Sequence, residues 1–274
     1  MQKHSTEVSE GRRFEFGKNW NRFLSVLNDE RIFEAEQSLK EMLECENLKG
    51  KSFLDMGSGS GLFSLAARRL GARVYSFDYD PRSVGCTSEL KRQYFPGDRN
   101  WEIGEGSVLD LEFVKSLGEF DIVYSWGVLH HTGDMWKALE NTCIPLKKGG
   151  LFFIALYNDQ GLLSSFWKKV KKFYCSSQAG KIVTILTFIP FFIFAGFIKD
   201  MLRCKNPFNR YTEYKKNRGM SVYYDWIDWL GGYPFEVAKF DDVVEFYRER
   251  GLVLLREKTT KGWGNNEFVF KRIR

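Results

Sequence analysis

The chain has 274 residues, 43% hydrophobic and 28% charged, enough for a sizeable core and unlike a disordered chain. A net charge of +6 is too mild to argue for nucleic acid, although it suits an anionic membrane surface or an acidic substrate. Five widely spaced cysteines without a Cys-x-x-Cys pair speak against a disulfide framework or a zinc site and fit a reduced, cytoplasmic compartment.

The first residues, Met1 to Ser5, lack the apolar run of a signal peptide. An aromatic-rich stretch, Phe14 to Trp20, precedes Leu24, Leu27, Ile32, Ala35, Leu39 and Leu43 at roughly helical spacing. Residues 1–49 are therefore expected to form a helical cap, with Phe14 to Trp20 as a segment packed on the core or as a flap over a ligand. His4 is expected in a mobile end.

Phe53-Leu54-Asp55-Met56-Gly57-Ser58-Gly59-Ser60-Gly61 then reads as a strand ending in an acid and a tight glycine loop, followed by a helix over about 61–70. The loop is not a Walker loop, because Leu62-Phe63 follow Gly61 where Lys-Ser/Thr would be needed. Its glycines alternate, which also departs from the Gly-x-Gly-x-x-Gly of dinucleotide binders. Asp-x-Gly-x-Gly-x-Gly resembles motif I of the class I S-adenosylmethionine (AdoMet)-dependent methyltransferases. The resemblance implies AdoMet as cofactor, its carboxylate near the loop amides of Gly57, Ser58, Gly59 and Gly61, and its amino group close to Asp55.

Arg73 to Asp78 is a second strand, and Asp80-Pro81 opens a helix that Asp80 is placed to cap. An acid at the end of that strand can accept from both hydroxyls of a ribose, which makes Asp78, with Tyr79 beside it, a cofactor candidate. A third strand near Trp101 to Ile103 leads to Ser107 and Val108, which the resemblance places at the adenine edge and face. The fourth strand, Phe120 to Trp126, contributes Ser125 and Trp126 to the implied cofactor set and is followed by His130 and His131. Phe-Asp-Ile-Val with Val-Leu-His-His is similar to motif IV and its loop in small-molecule methyltransferases, including the ubiquinone-pathway O-methyltransferases. A fifth strand is expected over 151–157, after Gly149 and Gly150.

The β-α alternation of residues 50–158 predicts a parallel sheet with ligand loops at the carboxyl ends of its strands. The resemblance implies an α/β Rossmann-like sheet of seven strands, mostly parallel, with the last antiparallel between the fifth and sixth. Residues 236–274 supply the remaining parts: a helix with Asp241 as its cap and Val244 and Tyr247 inward, then strands at 252–255 and 267–271.

Residues 159–235 break the pattern and read as an insertion. Lys168, Lys169, Lys171, Lys172 and Lys181 precede an uncharged stretch over 182–198, interrupted by Pro190 and Gly196. Three readings stay open: a buried helix pair lining an apolar pocket, a membrane-docking element, and a transmembrane span. Aromatic residues at 211, 214, 223, 224, 226, 229 and 233 suggest either a cap or an acceptor-binding surface.

Methyl transfer to oxygen gains from a base near neutral pH, so His130 or His131 is the expected catalytic residue. No metal ligand set is apparent. The expected activity is methylation of a hydroxyl on an apolar or lipid-linked small molecule, with peripheral membrane contact through 182–198. No Asn/Asp-Pro-Pro-Tyr/Phe motif follows the fourth strand, which argues against a nucleic-acid acceptor. The alternatives are a nicotinamide oxidoreductase, which the glycine spacing disfavours, and a non-catalytic membrane-associated protein of the same fold.

Overall fold

A computed structural model describes residues 2–25, 27–203, 206, 222–260, 262 and 264–274. Seven strands form one sheet: β1 (Ser52–Met56), β2 (Arg73–Asp78), β3 (Trp101–Glu105), β4 (Phe120–Trp126), β5 (Leu146–Tyr157), β6 (Leu252–Lys258) and β7 (Asn265–Arg272). Their spatial order is β3-β2-β1-β4-β5-β7-β6. The pairs from β3 to β5 are parallel, and β7 runs antiparallel between β5 and β6. The reversal in order beside β1 opens a crevice at the carboxyl edge, where ligands of such sheets bind.

Both faces of the sheet are covered, so its central strands are continuous apolar runs. Every residue of β1 is buried, and neighbours alternate sides: Leu54 and Met56 join one cluster with Val123, Phe152 and Tyr247, whereas Phe53 joins the other with Leu39, Trp101 and Phe153. The flanking helices of the core are α4 (Leu62–Arg69), α5 (Pro81–Tyr94), α6 (Leu111–Ser116) and α7 (Met135–Thr142). Asp80 caps α5 as expected, its Oδ1 accepting from the Arg82 amide at 2.9 Å.

The N-terminal cap contains three helices, at Gln2–Ser9 (α1), Gly17–Leu24 (α2) and Asp29–Leu43 (α3). The insertion contributes α8 (Leu162–Ser176), α9 (Gln178–Leu202) and α10 (Val222–Gly231), and α11 (Phe240–Glu249) precedes β6. The expectations at 211 and 214, and the side chains at 223 and 224, lie outside the described residues.

Three local expectations need correction. β5 begins at Leu146 and carries Gly149 and Gly150 within it, with an irregularity opposite Phe120 and Ile122, so those glycines mark a distortion rather than a boundary. Asp241 does not cap α11: Lys239 holds the cap position without a side-chain bond, and Asp241 and Asp242 lie in the first turn, where the helix dipole favours them. The inward residues are Val243 and Tyr247, with Val244 only partly buried.

Candidate active site

The carboxyl ends of β1, β2 and β4 converge on a cavity of about 860 Å³, at the upper end of the range for small-molecule sites. Its floor is the glycine loop. Gly57 has φ +88°, a left-handed conformation, and a Cβ there would lie 2.3 Å from Val128 Cγ1. Gly59 has φ +55°, and a Cβ on it would come within 3.2 Å of the Trp20 indole. The loop therefore needs glycine both for its turn and for the close approach of neighbours.

The loop amides are already engaged. Gly57 and Ser58 donate to the Phe77 carbonyl, and Gly61 donates to the Ser58 carbonyl. Gly59 donates to Asp78 Oδ2 at 2.9 Å. The row of free amides expected for a carboxylate is thus largely spent on shaping the loop. The positive N-terminal field of α4 remains to favour an anion.

Asp55 and Asp78 carry the main electrostatic strain. Asp55 is buried, and desolvation pushes its pKa up to about 7 against the opposing bond from Ser64; the nearby Asp78 charge adds to the rise. Asp78 is pushed up to about 6, again chiefly by burial, although its Oδ1 and Oδ2 accept from the Asp80 and Gly59 amides. Two carboxylates held this far above their ordinary range call for a cationic or multiply donating partner. An ammonium group and a ribose diol supply both.

Tyr79, Ser107, Val108 and Trp126 line the same cavity, as does Ser58, whose hydroxyl also meets Thr87. Gly61 caps α4 with φ +83°. Ser125 does not reach the cavity: it is buried, and its hydroxyl donates to the Met56 carbonyl at 2.8 Å, tying β4 to the end of β1. Alternation along the strand turns it away while exposing its neighbour Trp126.

The adjacent histidines also part company. His130 is fully buried and absent from the cavity wall. Its Nδ1 accepts from the Tyr157 amide at 3.2 Å, so its proton sits on Nε2. This removes it from the candidate catalytic pair and makes it a brace between the β4 loop and β5. His131 lines the cavity. Its Nδ1 lies 2.6 Å from the Pro234 carbonyl, which can only accept, so the Nε2 of the neutral ring carries the lone pair. Burial drives its pKa down to about 3, with the Pro234 bond opposing and the Lys171 and Arg13 charges adding to the fall.

The N-terminal segment closes the site. Phe14, Phe16 and Trp20 all line the cavity, as a flap would. His4, expected in a mobile end, is instead buried in α1, packed edge-on to Tyr79 and 3.8 Å from Asp80 Oδ2; burial lowers its pKa against the Asp80 charge. Asp80 Oδ2 also accepts from the Gly17 amide at 2.8 Å. Arg13 pairs with Glu7 at 2.7 Å and donates to the carbonyls of His131 and Thr132 at 2.9 and 3.3 Å. One arginine thus binds the cap to the histidine loop. Sequence spacing gave no sign of the contacts from the cap to Tyr79, Asp80, His131 and Thr132, because they join segments more than sixty residues apart.

The aromatic segment read as a cap or an acceptor-binding surface supplies Trp226 and Trp229, whereas Asp228, Asn265 and Glu267 had no signal in the sequence. Trp226, Asp228 and Trp229 come from α10, and Asn265 and Glu267 from β7. The antiparallel insertion of β7 places its first residues, not its last, at the carboxyl edge of the parallel strands.

This sheet order, the alternate-glycine loop and an acid at the end of both β1 and β2 give the fold of the class I AdoMet-dependent methyltransferases. Residues 54–154 match the family described as "Methyltransferase domain". Part of the chain is similar to the ubiquinone biosynthesis O-methyltransferases. It is 31% identical over 121 residues to the one from Methylobacterium sp. (strain 4-46), covering 43% of this chain and 46% of that protein. It is 27% identical over 134 residues to the one from Pelagibacter ubique (strain HTCC1062), covering 49% and 50%. The chain spans about half the length of the curated relatives it matches. The magnesium protoporphyrin IX methyltransferase of Synechocystis PCC 6803, solved with bound SAH, superposes over 93% of this chain and 94% of its own with a TM-score of 0.54 and 14% identity, which establishes likeness of fold.

Proposed function

We propose that the protein transfers a methyl group from AdoMet to a hydroxyl on an apolar small molecule. One cavity holds both halves of such a site: the glycine loop with Asp55 and Asp78 on one side, His131 and an aromatic wall of Phe16, Tyr157, Trp226 and Trp229 on the other. That juxtaposition carries the reading.

The residues present fit AdoMet, on the observation that two pKa-raised carboxylates, Asp55 buried and Asp78 partly buried, lie beside a loop that a Cβ would fill. Asp55 would face the ammonium, Asp78 the ribose hydroxyls, and Val108 and Ser107 the adenine. When bound, AdoMet supplies a sulfonium methyl with a good leaving group, so alignment is the main demand on the protein.

The aromatic wall excludes water and favours an apolar acceptor body. His131 Nε2 offers a lone pair to the acceptor hydroxyl. With its pKa held near 3, the ring stays neutral throughout the physiological range and orients the hydroxyl as a hydrogen-bond acceptor. Such a weak base asks for an acceptor that ionises readily, and a phenolic hydroxyl, with a pKa of about 10, suits it better than an alkyl alcohol. The O-methyltransferase names of the relatives support oxygen as the receiving atom.

Calorimetric titration with AdoMet and S-adenosylhomocysteine tests the cofactor half. Micromolar binding is expected, and a folded sample that binds neither would overturn the proposal. Incubation of labelled AdoMet with phenolic lipids and lipid extracts tests the acceptor half, the expected product being an aryl methyl ether.

A further inference from the structure

The insertion leaves a long apolar surface uncovered. α9 runs 25 residues and is long and apolar enough to cross a membrane, yet almost none of its apolar length is buried within the protein. It packs on α8 and α10 through one narrow face, where Gly180 and Thr184 are buried and Phe188 and Phe192 meet Trp167. The rest of the helix exposes Leu186, Phe191, Phe194, Phe197, Ile198 and Met201. On α8, Leu162, Phe166 and Phe173 are exposed at helical spacing and continue the patch. Contiguous apolar surface of this extent marks an interaction site.

Charge identifies the occupant. Residues 160–203 hold seven of the 41 basic residues and one of the 35 acidic ones, so the rest of the chain is electrically balanced and this hairpin carries the whole net charge of +6. The one acid, Asp200, is buried. Lys168, Lys169, Lys172, Lys181 and Lys199 are all exposed. An apolar face bordered by lysines, with no exposed acid among them, matches the boundary between anionic headgroups and acyl chains.

We infer that the α8–α9 hairpin docks on an anionic bilayer surface, lying in the interface and opening the acceptor side of the cavity toward lipid. Crossing the bilayer is disfavoured, because α8 is packed along α9 and would carry Lys168, Lys169 and Lys172 into the hydrocarbon. Aromatic contacts connect the docking helix to the cavity wall: Phe192 meets Trp226 and Trp167 meets Trp229, each with ring centroids 5.6 Å apart. Trp226 and Trp229 line the cavity. Delivery of an acceptor along this route rests on the methyltransferase reading, whereas docking itself does not.

The test is flotation of the full chain with phosphatidylcholine vesicles, with and without phosphatidylglycerol. Strong binding is expected only when the anionic lipid is present, and alkaline carbonate should release it. Each lysine near the surface contributes roughly 5-fold to partitioning, so Lys168→Gln, Lys169→Gln and Lys172→Gln together should lower binding to anionic vesicles by about 100-fold. Phe194→Ser with Phe197→Ser should weaken it further. An unchanged far-ultraviolet circular dichroism spectrum and cooperative thermal unfolding would show that each variant is folded. A folded wild type that binds no vesicles overturns the inference, whether or not it binds cofactor. So does carbonate-resistant insertion, which would indicate a span, or a vesicle-indifferent dimer that Phe194→Ser dissociates, which would indicate a second copy as the occupant.

Discussion

Replacing Asp55 by asparagine separates what this carboxylate does for the fold from what it does for the cofactor. In the folded chain its pKa rises from 3.8 to about 7, mainly through burial. The folded state therefore keeps its proton to higher pH than the unfolded state. As pH rises from near 4 to near 7 the unfolded chain loses that proton first, and stability falls. A shift of about three units corresponds to roughly 4 kcal/mol in total, with about half of the loss falling between about pH 5.5 and pH 8. Asp55→Asn removes the ionisation while leaving an oxygen for the Ser64 hydroxyl. Urea unfolding should show a variant more stable than wild type by about 2–4 kcal/mol at pH 8, with a flatter pH dependence. Cofactor binding should weaken strongly, because the ammonium loses its counter-charge. A variant with the same pH slope as the parent would refute the account of Asp55, as would one that binds cofactor equally well.

Other outcomes follow from individual contacts. Gly57→Ala should cost roughly 2–5 kcal/mol, part from the left-handed φ and part from overlap with Val128; Val128→Ala in the same chain should recover the overlap but not the backbone part, and equal stability of both chains would contradict the geometry. His131→Ala should lower turnover far more than cofactor affinity. With its pKa near 3, the histidine should leave no acid limb near pH 6.5 in the rate profile; a limb at that pH lost in the variant would show an ordinary base instead. Arg13→Ala removes two bonds to the histidine loop and an ion pair with Glu7, at a cost of about 1.5–3 kcal/mol. It should speed hydrogen exchange in α1 and hasten cofactor release; unchanged exchange would show that the cap is held elsewhere.

The sheet was legible because its signals are local. The central strands β1 and β4 are short apolar runs, and the helix after β2 is capped by Asp80 before Pro81 as its local punctuation implies. Most residues expected in the cofactor half, Ser125 excepted, lie along one cavity, since motifs at strand ends meet at one edge of a parallel sheet. What remained open or misplaced is direction and packing rather than position in the chain. Ser125 and Trp126 differ only in which way an alternating strand turns them, and His130 and His131 only in which face of a short turn they occupy. His4 was misplaced because position near a chain end says nothing about packing.

The sequence by itself determined the β-α alternation, the glycine loop and the places of Asp55 and Asp78 at strand ends, because local patterning sets these, whereas the seven-stranded sheet followed from the resemblance. Only the tertiary structure decided which histidine faces the cavity, that Arg13 and Asp80 lock the cap onto the core, and that β7 and α10 complete the wall with Glu267, Trp226 and Asp228. It also showed that α9 is exposed rather than buried, so the reading of a buried helix pair gives way to an uncovered apolar face. Hydropathy records how much a segment gains by leaving water. What it leaves water for depends on the surfaces the rest of the fold presents, and here those surfaces cover one narrow side of α9 only.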